Sequence, residues 1–320
     1  MKKIIFLGTP EFGANALEAL IDLKYKPILV ICQPDRHFDR KKKIILSPVK
    51  KLALMHHIPI LQPEKINQVY QTIIDLQPDL MITAAYGQFI PEKILKICPL
   101  GAWNIHGSLL PKLRGGAPIQ WAIINDYQTT GVCLMKMVKK MDAGNIIASE
   151  VVNIDPNETY QSLLLKCNIA TKQLLQKHFE KIIIENYYEI VQDENDVSFA
   201  YNIQIEQTYI DWNQPAKKID CLVRGLYNKP LAKTIYQNIS IKVHQVAISI
   251  NQKPVNQVPG TILAIDQNGI AVSTGDQNVI LLKKIQLPNK NPVAIKDLIN
   301  GKTIFKNNTK FSNYESKINL

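Results

Sequence analysis

Along the first 150 residues, short runs of apolar side chains alternate with stretches in which apolar positions recur at helical spacing. Lys3 to Leu7 is apolar and stops at Gly8, as a buried strand does. Glu11 to Leu23 has a helical period, and Pro27 to Cys32 is apolar again. Ser47-Pro48 offers an N-cap side chain followed by a ring suited to the first helical position. Asp79 to Ala85 and Ala102 to Ile105 read as further strands. Strand and helix signals in alternation predict βαβ units and a mainly parallel sheet covered on both faces. Asp155-Pro156-Asn157-Glu158 has the form of a capping box and predicts a long helix from about Thr159 to Glu185.

Beyond this helix the pattern changes. Residues 189–207 are polar and without period, which predicts a linker. Trp212 to Leu226 reads as one helix. Short strand-like runs follow, Ser240 to Ile250, Gly260 to Ile265, Ile270 to Ser273 and Val279 to Leu287, separated by Pro, Gly and Asn turns. That arrangement predicts a small all-β domain. The expected organisation is a catalytic α/β domain over 1–188, a linker over 189–207 and a β-barrel domain over 208–320.

Composition sharpens the picture. A chain of 320 residues, 46% hydrophobic and 20% charged, has the values of folded domains, which excludes disorder as the main state. Its net charge of +11 calls for an anionic partner. The excess is uneven: residues 1–204 carry 23 cations and 20 anions, whereas 205–320 carry 15 and 7. A small basic barrel is a common holder of RNA. Five scattered cysteines with no C-x-x-C pair predict neither a disulfide framework nor a zinc site, and fit a reducing compartment. The apolar run Ile4 to Leu7 is too short for a signal peptide, and no segment reaches the ~20 apolar residues of a membrane span. A cytoplasmic, monomeric protein with no metal and no membrane partner is expected.

Two familiar nucleotide motifs are absent. Gly8 and Gly13 have the spacing of a phosphate loop but lack the Lys and Ser/Thr that would follow, and no G-x-G-x-x-G opens the first helix. The chemistry lies further on, in Trp103-Asn104-Ile105-His106-Gly107-Ser108-Leu109-Leu110-Pro111-Lys112-Leu113-Arg114-Gly115-Gly116-Ala117-Pro118. Asn104 and His106 are two apart at the end of an expected strand, so alternation points both side chains to one side. Strand carboxyl ends are where open α/β sheets bind ligands. A second stretch, Val138 to Asn145, places Asp142 before Ala143-Gly144 in a turn between two β runs. An Asp beside a His makes a proton-transfer pair, although spacing alone leaves open whether Asp142 meets His106.

These stretches, with Gly131-Val132, Gln33-Pro34-Asp35-Arg36 and Ala84-Ala85-Tyr86-Gly87, closely resemble the folate-dependent formyltransferases. The resemblance covers most of the first 205 residues and is weaker around Asp211-Trp212 and Arg224 to Ala232. It implies a Rossmann-like formyltransferase domain followed by an OB-like barrel. It implies transfer of the formyl group of 10-formyltetrahydrofolate to an amine, with Asn104 donating to the formyl oxygen and His106 and Asp142 managing protons. Ser108, Leu109, Leu110 and Pro111 match the folate-binding loop, and Tyr86 to Gln88 the same cleft.

The acceptor implied is the α-amine of methionine on initiator tRNA; an amino-sugar nucleotide is the alternative. The basic segment from Asp35 to Lys43 separates the two, since Arg36, Arg40, Lys41, Lys42 and Lys43 match a tRNA-contacting insertion. Basic side chains there would grip the phosphodiester backbone. Asp39 and Lys41 stand where the family has glycines around Arg40, Asn145 replaces a second acid, Gly116 replaces Ala, and Asn228-Lys229-Pro230-Leu231 departs from the Pro-aromatic-Pro-Gly pattern. None of these changes touches Asn104, His106 or Asp142.

Overall fold

Strand β1 (Ile4–Gly8) is buried along its whole length, as its unbroken apolar run requires. It lies inside a seven-stranded sheet of the computed structural model, which describes residues 2–35, 44–249, 254–299, 301 and 303–314. The elements alternate as the period of apolar residues demands: α1 (Glu11–Asp22), β2 (Leu29–Ile31), α2 (Pro48–Met55), β3 (Ile60–Leu61), α3 (Tyr70–Leu76), β4 (Leu80–Ala84), α4 (Glu92–Leu95) and β5 (Ala102–His106). Then come α5 (Pro118–Ile124), β6 (Thr129–Lys136), β7 (Ile146–Asn153) and α6 (Tyr160–Ile183). The strand order is β3-β2-β1-β4-β5-β6-β7. The first five strands run parallel, whereas β6 and β7 are antiparallel additions beside β5. The sheet is therefore Rossmann-like and mainly parallel. Its core packs Ile5, Leu7, Ile31, Met81, Ile94 and Ala102.

Local signals are realised with one shift. Ser47 caps α2 by accepting from the Lys50 N–H at 3.2 Å, with Pro48 at the first helical position. Helix α6 is capped by Thr159 rather than by the Asp155–Glu158 segment. Thr159 and Ser162 exchange reciprocal bonds, Ser162 N–H to Thr159 Oγ1 at 3.3 Å and Thr159 N–H to Ser162 Oγ at 3.0 Å. The Asp155–Glu158 box instead closes the turn before it. Gly8 and Gly13 serve packing, since a Cβ on either would stand within 2.8 Å of the Ala84 carbonyl.

The chain divides into two compact units. The first comprises Met1–Pro118, Thr129–Asn153 and Leu164–Tyr201; the second comprises Ile119–Gln128, Ile154–Leu163 and Asn202–Leu320. Residues 189–201 of the expected linker belong to the first unit and are hydrogen-bonded into it: Ile190 pairs with Ile146, and Phe199 bridges Arg114.

The second unit holds α7 (Ala216–Gly225), β8 (Ala232–Tyr236), β9 (Ile239–Ile248), β10 (Ile262–Asp266), β11 (Gly269–Ser273), β12 (Val279–Gln286), β13 (Val293–Ala294) and α8 (Ile295–Leu298). Its antiparallel sheet has the order β10-β11-β12-β9-β8, with β13 on β12. Residues 309–312 join the two edges: Ile262 N–H donates to the Thr309 carbonyl at 2.7 Å and Ser312 N–H to the Ile235 carbonyl at 2.8 Å. This segment thereby bridges the two edges of the sheet and covers part of each. Trp212 lies outside the helix expected from 212 to 226. It is buried, stacked on Phe311 at 5.4 Å, and donates to Thr234 Oγ1 at 3.0 Å, so its apolar character belongs to the barrel core. Among the described residues, no helix is long and apolar enough to cross a membrane.

Candidate active site

Parallel pairing of β4 and β5 sets Thr83 directly opposite Asn104. The Thr83 hydroxyl donates to Asn104 Oδ1 at 2.7 Å. That bond occupies the acceptor end of the carboxamide and leaves its Nδ2 hydrogens as the group Asn104 offers a ligand. Thr83 is the one polar residue in an otherwise apolar strand, a signal that points to it from sequence.

Two residues on, His106 ends β5, buried and opposite Cys133 of β6. Its Nε2 lies 2.9 Å from the Leu113 carbonyl. A carbonyl only accepts, so Nε2 bears a hydrogen and Nδ1 is the nitrogen turned away from Leu113. Nδ1 in turn sits 3.7 Å from Asp142 Oδ2. The same carboxylate oxygen accepts the Gly115 N–H at 2.8 Å. The structure thus brings Asp142 to His106, the meeting that spacing alone left open, with Asn104 two residues before His106 on the same strand.

Loop 113–115 is the hub of this arrangement. Leu113 supplies the carbonyl for His106 and Gly115 the N–H for Asp142. Gly115 has φ +128°, and a Cβ there would stand 2.6 Å from the Ala200 carbonyl, so no other residue fits. The loop is held from outside by the segment after α6. Leu113 N–H donates to Ser198 Oγ at 2.9 Å, Arg114 N–H to the Ser198 carbonyl at 2.9 Å, and Ala200 N–H to the Arg114 carbonyl at 2.7 Å.

Arg114 is wholly buried and its guanidinium is compensated by side chains of that segment. Nε and Nη2 both donate to Gln192 Oε1, at 3.0 and 2.8 Å, and Nη2 also reaches Glu194 Oε1 at 3.0 Å. Lys140, and then Arg114, hold the Glu194 carboxyl below the usual range. Gln192, Glu194 and Ser198 are not legible as site residues in the sequence, because a polar stretch held by hydrogen bonds carries no hydrophobic period.

The expected folate loop is braced internally. Ser108 Oγ donates to the Lys112 carbonyl at 2.6 Å, and Leu110 N–H donates to Cys133 Sγ at 3.4 Å, with a cis bond between Leu110 and Pro111. Burial pushes the Cys133 thiol up to about 12, so it stays a neutral acceptor. Leu109 lies over Gly131, where a Cβ would meet its Cδ2 at 2.6 Å. Tyr86 is buried, and its carbonyl accepts from Thr9 Oγ1 and Gln33 Nε2. Gln88 accepts the Ile66 N–H at 2.9 Å. The expected tRNA-contacting residues Arg36, Arg40, Lys41, Lys42 and Lys43 lie outside the described residues. Just beyond them on either side, Asp35 and Lys50 form an ion pair. Among the described residues, no group of three or more His, Cys, Asp or Glu side chains is placed to hold a metal ion.

Comparison with known proteins places the chain in a family. The profile described as Formyl transferase matches residues 2–178, and that of the formyl transferase C-terminal domain matches 202–303. Methionyl-tRNA formyltransferase of Ureaplasma urealyticum serovar 10 is 47% identical over 305 residues, 95% of this chain and 99% of that protein. Methionyl-tRNA formyltransferase of Lactiplantibacillus plantarum is 40% identical over 304 residues, 94% of this chain and 96% of that protein. Among solved structures, WlaRD, a sugar 3N-formyl transferase crystallised in the presence of dTDP and 5-N-formyl-THF, has a TM-score of 0.65 at 21% identity. It covers 91% of this chain and 99% of that one, a likeness of fold. With a matching profile over more than half its length and relatives of this similarity from end to end, the chain belongs to the formyl transferase family.

Proposed function

We propose that this chain transfers the formyl group of 10-formyltetrahydrofolate to the α-amine of methionine on initiator tRNA, as a cytoplasmic monomer acting in translation initiation. The observation that carries the reaction is the approach of Asp142 to His106 at the carboxyl end of β5, the strand that also carries Asn104 with its amide oriented by Thr83. The acceptor rests on relatives that match both the catalytic and the C-terminal regions and carry the name methionyl-tRNA formyltransferase. The folate loop 108–111 and the basic segment from Arg36 to Lys43 are assigned to donor and tRNA respectively.

The chemistry follows from the hydrogen bonds. The neutral α-amine attacks the formyl carbon, and the carbonyl electrons move onto oxygen. Asn104 Nδ2, its orientation fixed by Thr83, donates to that oxygen. The amine nitrogen becomes cationic and loses a proton to the His106–Asp142 pair, whose imidazole has its Nδ1 turned to the carboxylate. Collapse of the tetrahedral intermediate breaks the bond from the formyl carbon to N10 of the folate. N10 takes a proton as it leaves, so one N–H is lost and one gained. The product amide can no longer take up a proton, as the free amine can.

Purified protein given 10-formyltetrahydrofolate and methionyl initiator tRNA should yield formylmethionine. Asn104→Ala should lower the rate by about 10²–10³ while leaving the fold intact, the range for loss of one oxyanion donor. Absence of product, with an amino-sugar nucleotide formylated instead, would overturn the acceptor. A full rate in Asn104→Ala would overturn the role of Asn104.

A further inference from the structure

We infer that Gln192, locked in place by the buried guanidinium of Arg114, is a positioning residue that aims Asp142 at His106; this rests on the formyl-transfer reading above. Asp142 adopts φ +48°, in the left-handed region, which Asp enters more readily than most residues, so the turn needs outside contacts to fix where its side chain points. Two bonds from one amide nitrogen do the holding. Gln192 Nε2 donates to the carbonyl of Asp142 at 2.9 Å and to that of Gly144 at 2.7 Å, and so clamps the turn on both sides of Ala143.

The other end of the carboxamide has no freedom. Gln192 Oε1 receives two hydrogen bonds from Arg114, so the amide cannot turn over without placing Nε2 against the guanidinium. Arg114 is itself the middle residue of the loop whose neighbours bind the reacting pair, Leu113 to His106 and Gly115 to Asp142. One side chain therefore ties the backbone of Asp142 to the loop that holds His106. The distance between His106 Nδ1 and Asp142 Oδ2 is set by this closed ring of bonds and not by either side chain alone. Gln192 is 6% exposed and Arg114 is fully buried, so water does not replace these bonds.

Gln192→Glu separates positioning from anchoring. The carboxylate keeps its oxygen toward Arg114 and strengthens that pair, but it presents a second acceptor to two carbonyls. Transfer would be followed in single turnovers at saturating 10-formyltetrahydrofolate and methionyl initiator tRNA, for the native chain, Gln192→Glu, Asp142→Asn and the double variant. Binding of 5-formyltetrahydrofolate and thermal melting would be measured on each.

Gln192→Glu is expected to slow transfer by about ten- to a hundredfold, the range for removal of outer hydrogen-bond partners. Its folate affinity should stay within about threefold of native, and it should cost little further in the Asp142→Asn background, as coupled residues do. A native rate in Gln192→Glu would overturn the inference, and so would losses that multiply in the double variant. Should that variant not fold, Gln192→Met, uncharged and unbranched, is read by the same criteria; failure of both to fold would make Gln192 a structural anchor and overturn its positioning role. An inactive native chain would instead count against formyl transfer itself.

Discussion

Single atoms decide much of the site. Gly115 is the clearest case, with φ +128° and the Ala200 carbonyl where a Cβ would be. Gly115→Ala should lower stability by about 1–3 kcal/mol in thermal or urea unfolding, the usual cost of a strained backbone position. It should also slow formylation, because Leu113 and Gly115 hold the two proton-handling side chains. A variant with native melting and rate would show that loop 113–115 moves aside freely. Sequence reaches this scale unevenly. Asn104 and His106 share a face because strands alternate, which two letters and a period suffice to reveal. Asp142 joins them only through β6 and β7, and Gln192 only through the segment after α6. Neither distance in space is written in local spacing.

At the level of elements, competing local signals explain what could and could not be read. Both Asp155 and Thr159 are cap-forming residues, and the helix took the one whose partner, Ser162, completes a reciprocal pair. Trp212 has the hydrophobicity of a helix face but packs on Phe311 across the barrel, against a residue far along the chain. Strand β9 carries a further consequence of burial. His244 lies partly buried on it beside Lys242 and Lys284, with Gln286 as hydrogen-bond partner, and burial holds its imidazole below the ordinary value of 6.5. The unfolded chain then binds the proton more readily than the folded one. Stability from this group is full above about pH 6.5 and drains as pH falls through that value towards the lower folded one. Melting temperature should drop on going from about pH 7.5 to about pH 5.5, and His244→Gln should reduce the drop. His178 on α6 shifts the same way, so part of the drop should remain. An unchanged profile in His244→Gln would assign the pH dependence elsewhere.

Across the whole molecule, charge is distributed as the work is. The first 204 residues hold 23 cations and 20 anions, and the remainder 15 and 7, which composition shows without any structure. Which of those cations share a face needs the register. Lys233 on β8 stands opposite Lys242 on β9, and Lys242 and His244 alternate outward around the core residue Val243. Lys284 on β12 acts electrostatically on the same His244. This face should bear on RNA phosphates. Replacing Lys233, Lys242 and Lys284 by Gln should weaken tRNA binding and flatten its dependence on salt by about one logarithmic unit for each phosphate left without its cation. Binding of 5-formyltetrahydrofolate should be unaffected. A native salt slope would remove this face from the tRNA interface.

Ribosomes make the chain from its amino terminus, so the sheet, Asn104, His106 and Asp142 all emerge before Gln192, Ser198 and Ala200 do. A chain released at residue 188 carries Asn104, His106 and Asp142 but none of the bonds by which the later segment holds loop 113–115 and the turn at Asp142. The bonds around His106 and Asp142 are completed only once residues 192–200 have been made. Unfinished polypeptides therefore hold these three side chains without the bonds that align them.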